Sequence, residues 1–245
     1  MGIRLENVCY TYGSDTTSEI KALNNVNLEI NKGEFVAIIG HTGSGKSTLI
    51  QHFNGLERPK SGNVFYNNEN IYENNYDLRK LRCKVGLVFQ YPEHQLFEET
   101  VLKDVCFGPM NMGMSREEAE KKAKLVLEQV GINEKCYNKS PFELSGGQKR
   151  RVAIAGVLAM NPEIIVLDEP TAGLDPKGRD KILNRIKELH DNTGIGVVLV
   201  SHSMEDVANY AQRLIVINNG KIKYDGMPKD VFKHYKELEK MGLKA

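Results

Sequence analysis

Gly40-His41-Thr42-Gly43-Ser44-Gly45-Lys46-Ser47-Thr48 matches the glycine-rich pattern G-x-x-x-x-G-K-[ST], and the residues on either side supply its setting. Residues 35–39 form an unbroken apolar run, short enough for a buried parallel strand, and residues 47–54 read as a helix stopped by Gly55. In a strand, loop and helix of this kind, glycines let the backbone N–H groups turn inward around phosphates. The helix N-terminus adds positive potential. Lys46 supplies a mobile point charge for the outer phosphates, and the Ser47 hydroxyl can take one position on a magnesium ion carried in by the nucleotide. Ser44 and Thr48 add hydroxyl donors. The expected ligand is a nucleoside triphosphate.

The 245 residues, 40% of them hydrophobic, suffice for one large domain with a subdomain rather than two separate domains. With 33 basic and 32 acidic residues the net charge is +1, so no global field recruits nucleic acid or anionic lipid. Cys9, Cys83, Cys106 and Cys136 lie far apart without a C-x-x-C pair, which points to reduced thiols and a cytosolic compartment. Residues 1–10 lack a basic start followed by an apolar run, and no segment approaches the roughly eighteen apolar residues of a membrane span. The six histidines show no metal-ligand spacing, so no zinc site is expected.

Along the chain, residues 3–12 and 26–30 alternate apolar and polar, as strands of an antiparallel layer do. Tyr12 closes the first of them just before Gly13-Ser14-Asp15, where its ring can stack on a purine; by position alone Tyr10 competes for that role. Residues 62–71 continue the layer through the turn Asn67-Asn68-Glu69-Asn70, and residues 75–82 suggest a short helix. Residues 85–89 form a second buried strand that ends at Gln90, with Tyr91-Pro92 blocking its continuation. Residues 115–130 are helical: Ser115 and Glu118 make a capping box, Ala119, Ala123, Val126, Leu127 and Val130 share a face, and Gly131 ends the helix. Another helix starts at Ser145-Gly146-Gly147-Gln148 and stops at Asn161-Pro162.

The apolar strand Ile164-Ile165-Val166-Leu167 delivers Asp168 and Glu169 at its C-terminal end, where open α/β sheets place ligands. Two carboxylates there call for cations. Asp175-Pro176 begins a further helix, and residues 196–200 a strand that ends in Ser201-His202. Residues 213–217 and 221–224 form a hairpin about Asn218-Asn219-Gly220, followed by a terminal helix around Val231, Phe232, Tyr235 and Leu238.

Leu144-Ser145-Gly146-Gly147-Gln148 separates one family of phosphate-loop proteins from the others, and with it the chain resembles an ATP-binding-cassette ATPase over essentially its whole length. Residues 40–48 match that family's Walker A, Gln90 its Q-loop, residues 144–148 its signature, residues 164–169 its Walker B, residues 172–175 its D-loop and His202 its switch histidine. The resemblance implies an α/β phosphate-loop fold across residues 1–245: a mostly parallel core sheet, an antiparallel β subdomain, a helical subdomain at about 91–160, and a C-terminal helical extension at 225–245. It also implies that ATP binds Tyr12, Gly40, His41, Thr42, Gly43, Ser44, Gly45, Lys46, Ser47 and Thr48 of one chain. Ser145, Gly146, Gly147 and Gln148 of a partner close over it. Magnesium falls to Ser47, Gln90 and Asp168, and catalysis to Glu169 as base with His202, Gln90 and Lys46.

A finer likeness lies in residues 88–101, in Pro141-Phe142-Glu143 before the signature and in residues 150–156 after it. It is to the energy-coupling factor (ECF) transporter ATPases, the CbiO and EcfA family, and within that family Gly40-His41-Thr42-Gly43 and Asp168-Glu169-Pro170-Thr171-Ala172-Gly173 resemble the EcfA-prime type. Such a resemblance implies ATP-driven import of vitamins or transition-metal ions at the cytoplasmic face of the membrane. Its partners would be a transmembrane T component, a substrate-capturing S component and a second, related ATPase in a heterodimer, with a weaker homodimer as the alternative. No nucleic-acid partner is expected. Rival readings are the ATPase of a binding-protein-dependent importer and a soluble cassette ATPase of DNA repair or translation. Residues 91–100 are expected to meet the T component through Leu96 and Phe97, ringed by Glu93, Glu98 and Glu99. The apolar terminal helix is expected to suit a partner.

Overall fold

The computed structural model describes residues 2–13 and 19–243. Ser14 and Asp15 of the turn after Tyr12, and the last two residues of the expected C-terminal extension, lie outside these. Strands β1 (Ile3–Tyr12) and β2 (Ile20–Ile30) pair antiparallel, Ile3 opposite Ile30, and β3 (Phe35–Ile39) leads through the glycine-rich loop into α1 (Lys46–Phe53). Next come β4 (Ser61–Tyr66) and β5 (Glu69–Asn70), joined by Asn67 and Asn68 at φ 51° and 70°. Two adjacent residues at positive φ match the right-handed twist of a tight hairpin, and asparagine tolerates that backbone best after glycine. Asp77 caps α2 (Leu78–Lys84) by accepting from the Arg79 and Lys80 amides, and β6 (Val85–Val88) follows.

Three helices fill the stretch before the next strand: α3 (Val101–Asn111), α4 (Arg116–Gln129) and α5 (Gly146–Leu158). The expected capping box of Ser115 and Glu118 heads α4, and Gly131 leaves it at φ 73°. Beyond lie β7 (Ile164–Asp168), α6 (Pro176–Thr193) with Asp175 as its N-cap, β8 (Gly196–Val200) and α7 (Met204–Tyr210). Strands β9 (Arg213–Asn218) and β10 (Lys221–Gly226) turn through Asn219 and Gly220, both at positive φ, and the short helices α8 (Pro228–Val231) and α9 (Tyr235–Lys240) finish the described chain.

Among the described residues the strands make a four-stranded antiparallel sheet, β2-β1-β4-β5, and a six-stranded sheet, β10-β9-β3-β8-β7-β6, parallel except for β10. Burial on both faces explains why β3, β7 and β8 read as unbroken apolar runs. Ile165 and Leu167 pack with Val197 and Leu199 against Val105, Ala123 and Val152 of the inserted helices. Their neighbours Ile164, Val166 and Val198 face the opposite way, onto Leu49 and Phe53 of α1 and onto the antiparallel sheet. Each such side chain contributes about 2 kcal/mol by leaving water, more than an exposed pair such as Arg116–Glu120 can supply.

Two expectations need correction. No helix is expected before the one that follows Ser115 in the inserted stretch, yet the insertion starts with α3; Thr100 caps it, and Gly108 and Pro109 occupy its last turns. Gly108 stands there because a Cβ would lie 3.0 Å from the Met160 side chain. The terminal helix is two short helices bridged by the tight turn Phe232–His234. Val231 and Leu238 are buried against Ala37, Ile39 and Val216, so its apolar face covers this chain's own sheet instead of awaiting a partner.

Glu163, just before β7, ties the two sheets together. It accepts from the Tyr66 hydroxyl (2.9 Å) and the Lys84 ammonium (3.0 Å) and pairs with Lys32. Burial opposes its charge, but Lys32, Lys84 and Tyr66 outweigh it and hold the carboxyl down to about 2 against an ordinary 4.5. A depressed carboxylate stabilises the fold fully above its ordinary value and loses that contribution as pH falls from about 4.5 to about 2. Since the group is partly exposed, E163Q is expected to cost about 1 kcal/mol at pH 7 and nothing at the acid end of that window. Urea unfolding at the two pH values checks this, and an equal loss at both would reject the charge effect.

Candidate functional site

The loop between β3 and α1 is shaped by backbone that only glycine supplies. Gly45 has φ 107°, and a Cβ there would stand 2.4 Å from the Ala22 carbonyl oxygen; a Cβ on Gly40 would stand 2.4 Å from that of Ile217. The β9–β10 turn braces the loop from outside: the Gly220 amide donates to the Ser44 carbonyl at 2.9 Å. His41 is held between the Thr42 carbonyl (2.7 Å) and the Asn218 side chain (3.1 Å).

Lys46 folds back so that its ammonium donates to the carbonyls of Gly40 (2.6 Å) and His41 (3.0 Å). Burial lowers its pKa, opposed by the negative charge of Glu169 and Asp168. The Ser44 hydroxyl is buried without a hydrogen-bond partner among the described residues. An orphaned hydroxyl and an ammonium resting on carbonyls, inside a glycine loop at a helix N-terminus, suit a phosphate group. Tyr12, 41% exposed, places its hydroxyl 3.1 Å from Thr48 Oγ1. Tyr10 stands edge-on to it at 4.9 Å, its hydroxyl bonded to Glu57 and its pKa pushed up to about 12, first by that bond. Tyr12 is thus the ring left free on this surface.

At the C-terminal ends of the parallel strands, β7 lies between β6 and β8, which brings Gln90, Glu169 and His202 together. Glu169 Oε1 is 2.6 Å from His202 Nε2, and its Oε2 accepts from Gln90 Nε2 at 3.1 Å. Its backbone sits at φ 49°, an uncommon conformation for a side chain of this kind and one typical of functional sites. Asp168 is buried, which raises its pKa, while the Ser47 hydroxyl hydrogen-bonds it and pulls the other way. Ser47, Asp168 and Gln90 together offer oxygen donors, the set a hard divalent cation prefers.

The signature stands apart. Ser145 caps α5, and its amide donates to Gln148 Oε1 at 2.9 Å in a reciprocal capping box. Nothing lies within 4 Å of a Cβ built on Gly146. Among the described residues no hydrogen bond joins Ser145, Gly146, Gly147 or Gln148 to the glycine-rich loop or to Glu169. Crowding inside this chain therefore does not demand these glycines. What residue reading missed is the pairing of partly buried Glu93 with fully buried Arg150, together with the support of the loop by Asn218 and Gly220. Partners 57 positions apart leave no local signal.

The model of the family described as "ABC transporter" matches residues 23–172. The energy-coupling factor transporter ATP-binding protein EcfA2 of Clostridium tetani is 56% identical, covering 100% of this chain and 85% of that protein. The Bacillus subtilis protein of the same name is 56% identical over 93% of this chain and 83% of its own length. Among solved structures, cbiO1 of Clostridium perfringens, described as part of the ABC transporter complex cbiONQ, aligns with TM-score 0.85 and 40% identity over 98% of this chain and 94% of that one. A dimeric ATP-binding cassette in a post-hydrolysis state bound to ADP and Pi aligns at 0.82 with 37% identity, over 92% and 98%. Kinship that spans the chain, on a sheet whose strand ends carry a phosphate loop beside paired acids, makes this an ATP-binding, ATP-hydrolysing member of the ABC transporter family, within its energy-coupling factor branch.

Proposed function

We propose that the chain powers an ECF transporter that imports a vitamin or transition-metal ion, working peripherally at the cytoplasmic face with a T component, an S component and a second, related ATPase. The observation that carries the reading is the Glu169 carboxylate held between His202 (2.6 Å) and Gln90 (3.1 Å), one residue from Asp168 and beside the phosphate loop. Names borne by full-length relatives supply the transporter class.

The chemistry follows from these positions. Loop N–H groups, the Ser44 hydroxyl and Lys46 hold the phosphates, and the exposed Tyr12 ring supports the base. Ser47, Asp168 and Gln90 would hold a magnesium ion, which supplies positive charge against the phosphoryl oxygens. Glu169 takes the proton of the attacking water, while His202 orients the carboxylate and contacts the outer phosphate. The N-terminus of α5, which among the described residues reaches neither the glycine-rich loop nor Glu169, closes over ATP held by the partner cassette and excludes water there. The longest helix described is α6, so no coiled-coil arm of the kind expected for a soluble repair cassette is present among these residues.

Docking on the T component needs a revised anchor. Leu96 is buried and Glu93 is held by Arg150, whereas Glu99 stays 80% exposed in a weak surface pair with Lys103, so the apolar anchor moves to Phe97 and the acidic collar to Glu98 and Glu99. Phe97 is 59% exposed and stands edge-on to Phe107 at 4.8 Å, above a groove of about 360 Å³ between α2 and α3 that Arg82, Asp104 and Met112 help to line. F97D is expected to leave ATP binding by this chain intact and to remove it from the transporter. Co-purification from native membranes checks both points. Normal assembly and uptake by F97D would move the docking site elsewhere, and a transporter holding two copies of this chain alone would refute the heterodimer.

A further inference from the structure

One fully buried charge has no part in the chemistry above. Arg150, on α5 two residues past Gln148, is 2% exposed. Its guanidinium grips the Glu93 carboxylate through Nε (3.0 Å) and Nη2 (2.7 Å). Its Nη1 donates to the carbonyls of Pro170 (3.1 Å) and Ala172 (2.6 Å), and Cζ lies 5.8 Å from the centre of the Tyr91 ring. One side chain thus joins three segments: the helix that begins at the signature, the turn after Gln90, and the strand end after Glu169.

Two of those segments contain non-glycine residues in the left-handed region, Tyr91 at φ 56° and Glu169 at φ 49°. Such backbone persists where the surroundings over-determine it. Here the guanidinium does so on both sides, because Tyr91 lies between Gln90 and Glu93, and Glu169 directly precedes Pro170. The direct bond from Gln90 to Glu169 and the longer link from Glu93 through Arg150 to Pro170 run side by side between the same two segments.

We propose that Arg150 is a positioning residue for hydrolysis, setting Gln90 and Glu169 in register with each other and with the head of α5. Packing alone would not call for it. A buried ion pair is seldom more stabilising than apolar side chains of the same volume, whereas a planar fork with several donors in fixed directions specifies geometry. Lysine cannot substitute, since one compact ammonium cannot reach a carboxylate and two carbonyls at once. The turn after Gln90, which carries Phe97 a few residues later, is thus joined to the signature helix and to the segment after Glu169 by this group, in addition to the direct bond from Gln90 to Glu169.

The test uses the full chain in its assembled transporter and compares R150K, R150M and the double variant E93Q/R150M, measuring kcat and KM for ATP together with Tm. R150K is expected to lower kcat about 10- to 100-fold, the scale of a small misplacement of reacting groups, with KM changed less than about threefold. R150M alone leaves the partly buried Glu93 without its partner and loses stability; E93Q/R150M removes both charges and is expected to regain Tm while kcat stays at least about 10-fold low. Recovery of kcat along with Tm in the double variant, or wild-type kcat in R150K, would show a purely structural tie and overturn the proposal. The inference rests on Glu169 as the base. Near-normal turnover in E169Q would remove that reading, an outcome distinct from normal turnover in the Arg150 variants.

Discussion

Glu169→Gln is expected to bind ATP as the wild type does and to hydrolyse it about a hundred to ten thousand times more slowly, the range for loss of a positioned general base. The amide keeps the size of the carboxylate and can still accept at one oxygen from His202 or Gln90, so the neighbouring contacts at 2.6 and 3.1 Å have a partner after substitution. It cannot take up the proton of the attacking water. The Lys46 ammonium donates to the Gly40 and His41 carbonyls rather than to Glu169, so these hydrogen bonds survive the substitution, although Lys46 loses one of the two negative charges that favour its protonated form. Equilibrium ATP binding and single-turnover hydrolysis in the assembled transporter separate the two effects. Near-normal turnover would assign the base elsewhere.

Gly45→Ala attacks the cradle from the opposite direction, since its reason is steric and not chemical. The new Cβ would stand 2.4 Å from the Ala22 carbonyl oxygen, a backbone atom of β2 that cannot rotate away, at φ 107° where an L side chain is strained already. Loop and strand must separate, displacing the amides that face the phosphates and Lys46, the first residue of α1. ATP affinity is expected to fall on the order of a hundredfold, with a loss of thermal stability, because a packed interior does not absorb such an overlap. Gly43→Ala is the control: φ is 79°, but nothing among the described residues lies within 4 Å of the added carbon, so the expected cost is backbone strain. Isothermal titration with ATP compares the two. Wild-type affinity in G45A would mean that the loop yields at little cost.

Much of this chain can be read locally. Capping boxes at Ser115 and Ser145, the N-cap Asp175, the asparagine turns and the buried strands depend on hydrogen bonds within a few residues and on periods of 3.6 or 2, which a single stretch of sequence displays. The phosphate loop belongs to the same class, because its glycines answer to the path of one short backbone segment. Helix α3 escaped this kind of reading, since Gly108 and Pro109 signal a break and only the neighbouring Met160 explains why glycine is kept inside a helix. The faces of Leu96, Phe97 and the terminal helix escaped it as well. Which apolar residue is covered depends on what lies opposite, and neither spacing nor composition records that.

By itself, then, the sequence determined the α/β class, the phosphate cradle and the delivery of Gln90, Asp168, Glu169 and His202 to the ends of strands. Tertiary structure alone decided that β7 lies between β6 and β8, so that the strand ends converge on Glu169, and that Arg150 reaches Glu93 across 57 positions. The physical reason is range: propensity, capping and turn geometry act between residues adjacent in the chain, whereas strand order and buried charge pairing are settled by whichever packing buries the most apolar surface while leaving few polar groups without a partner.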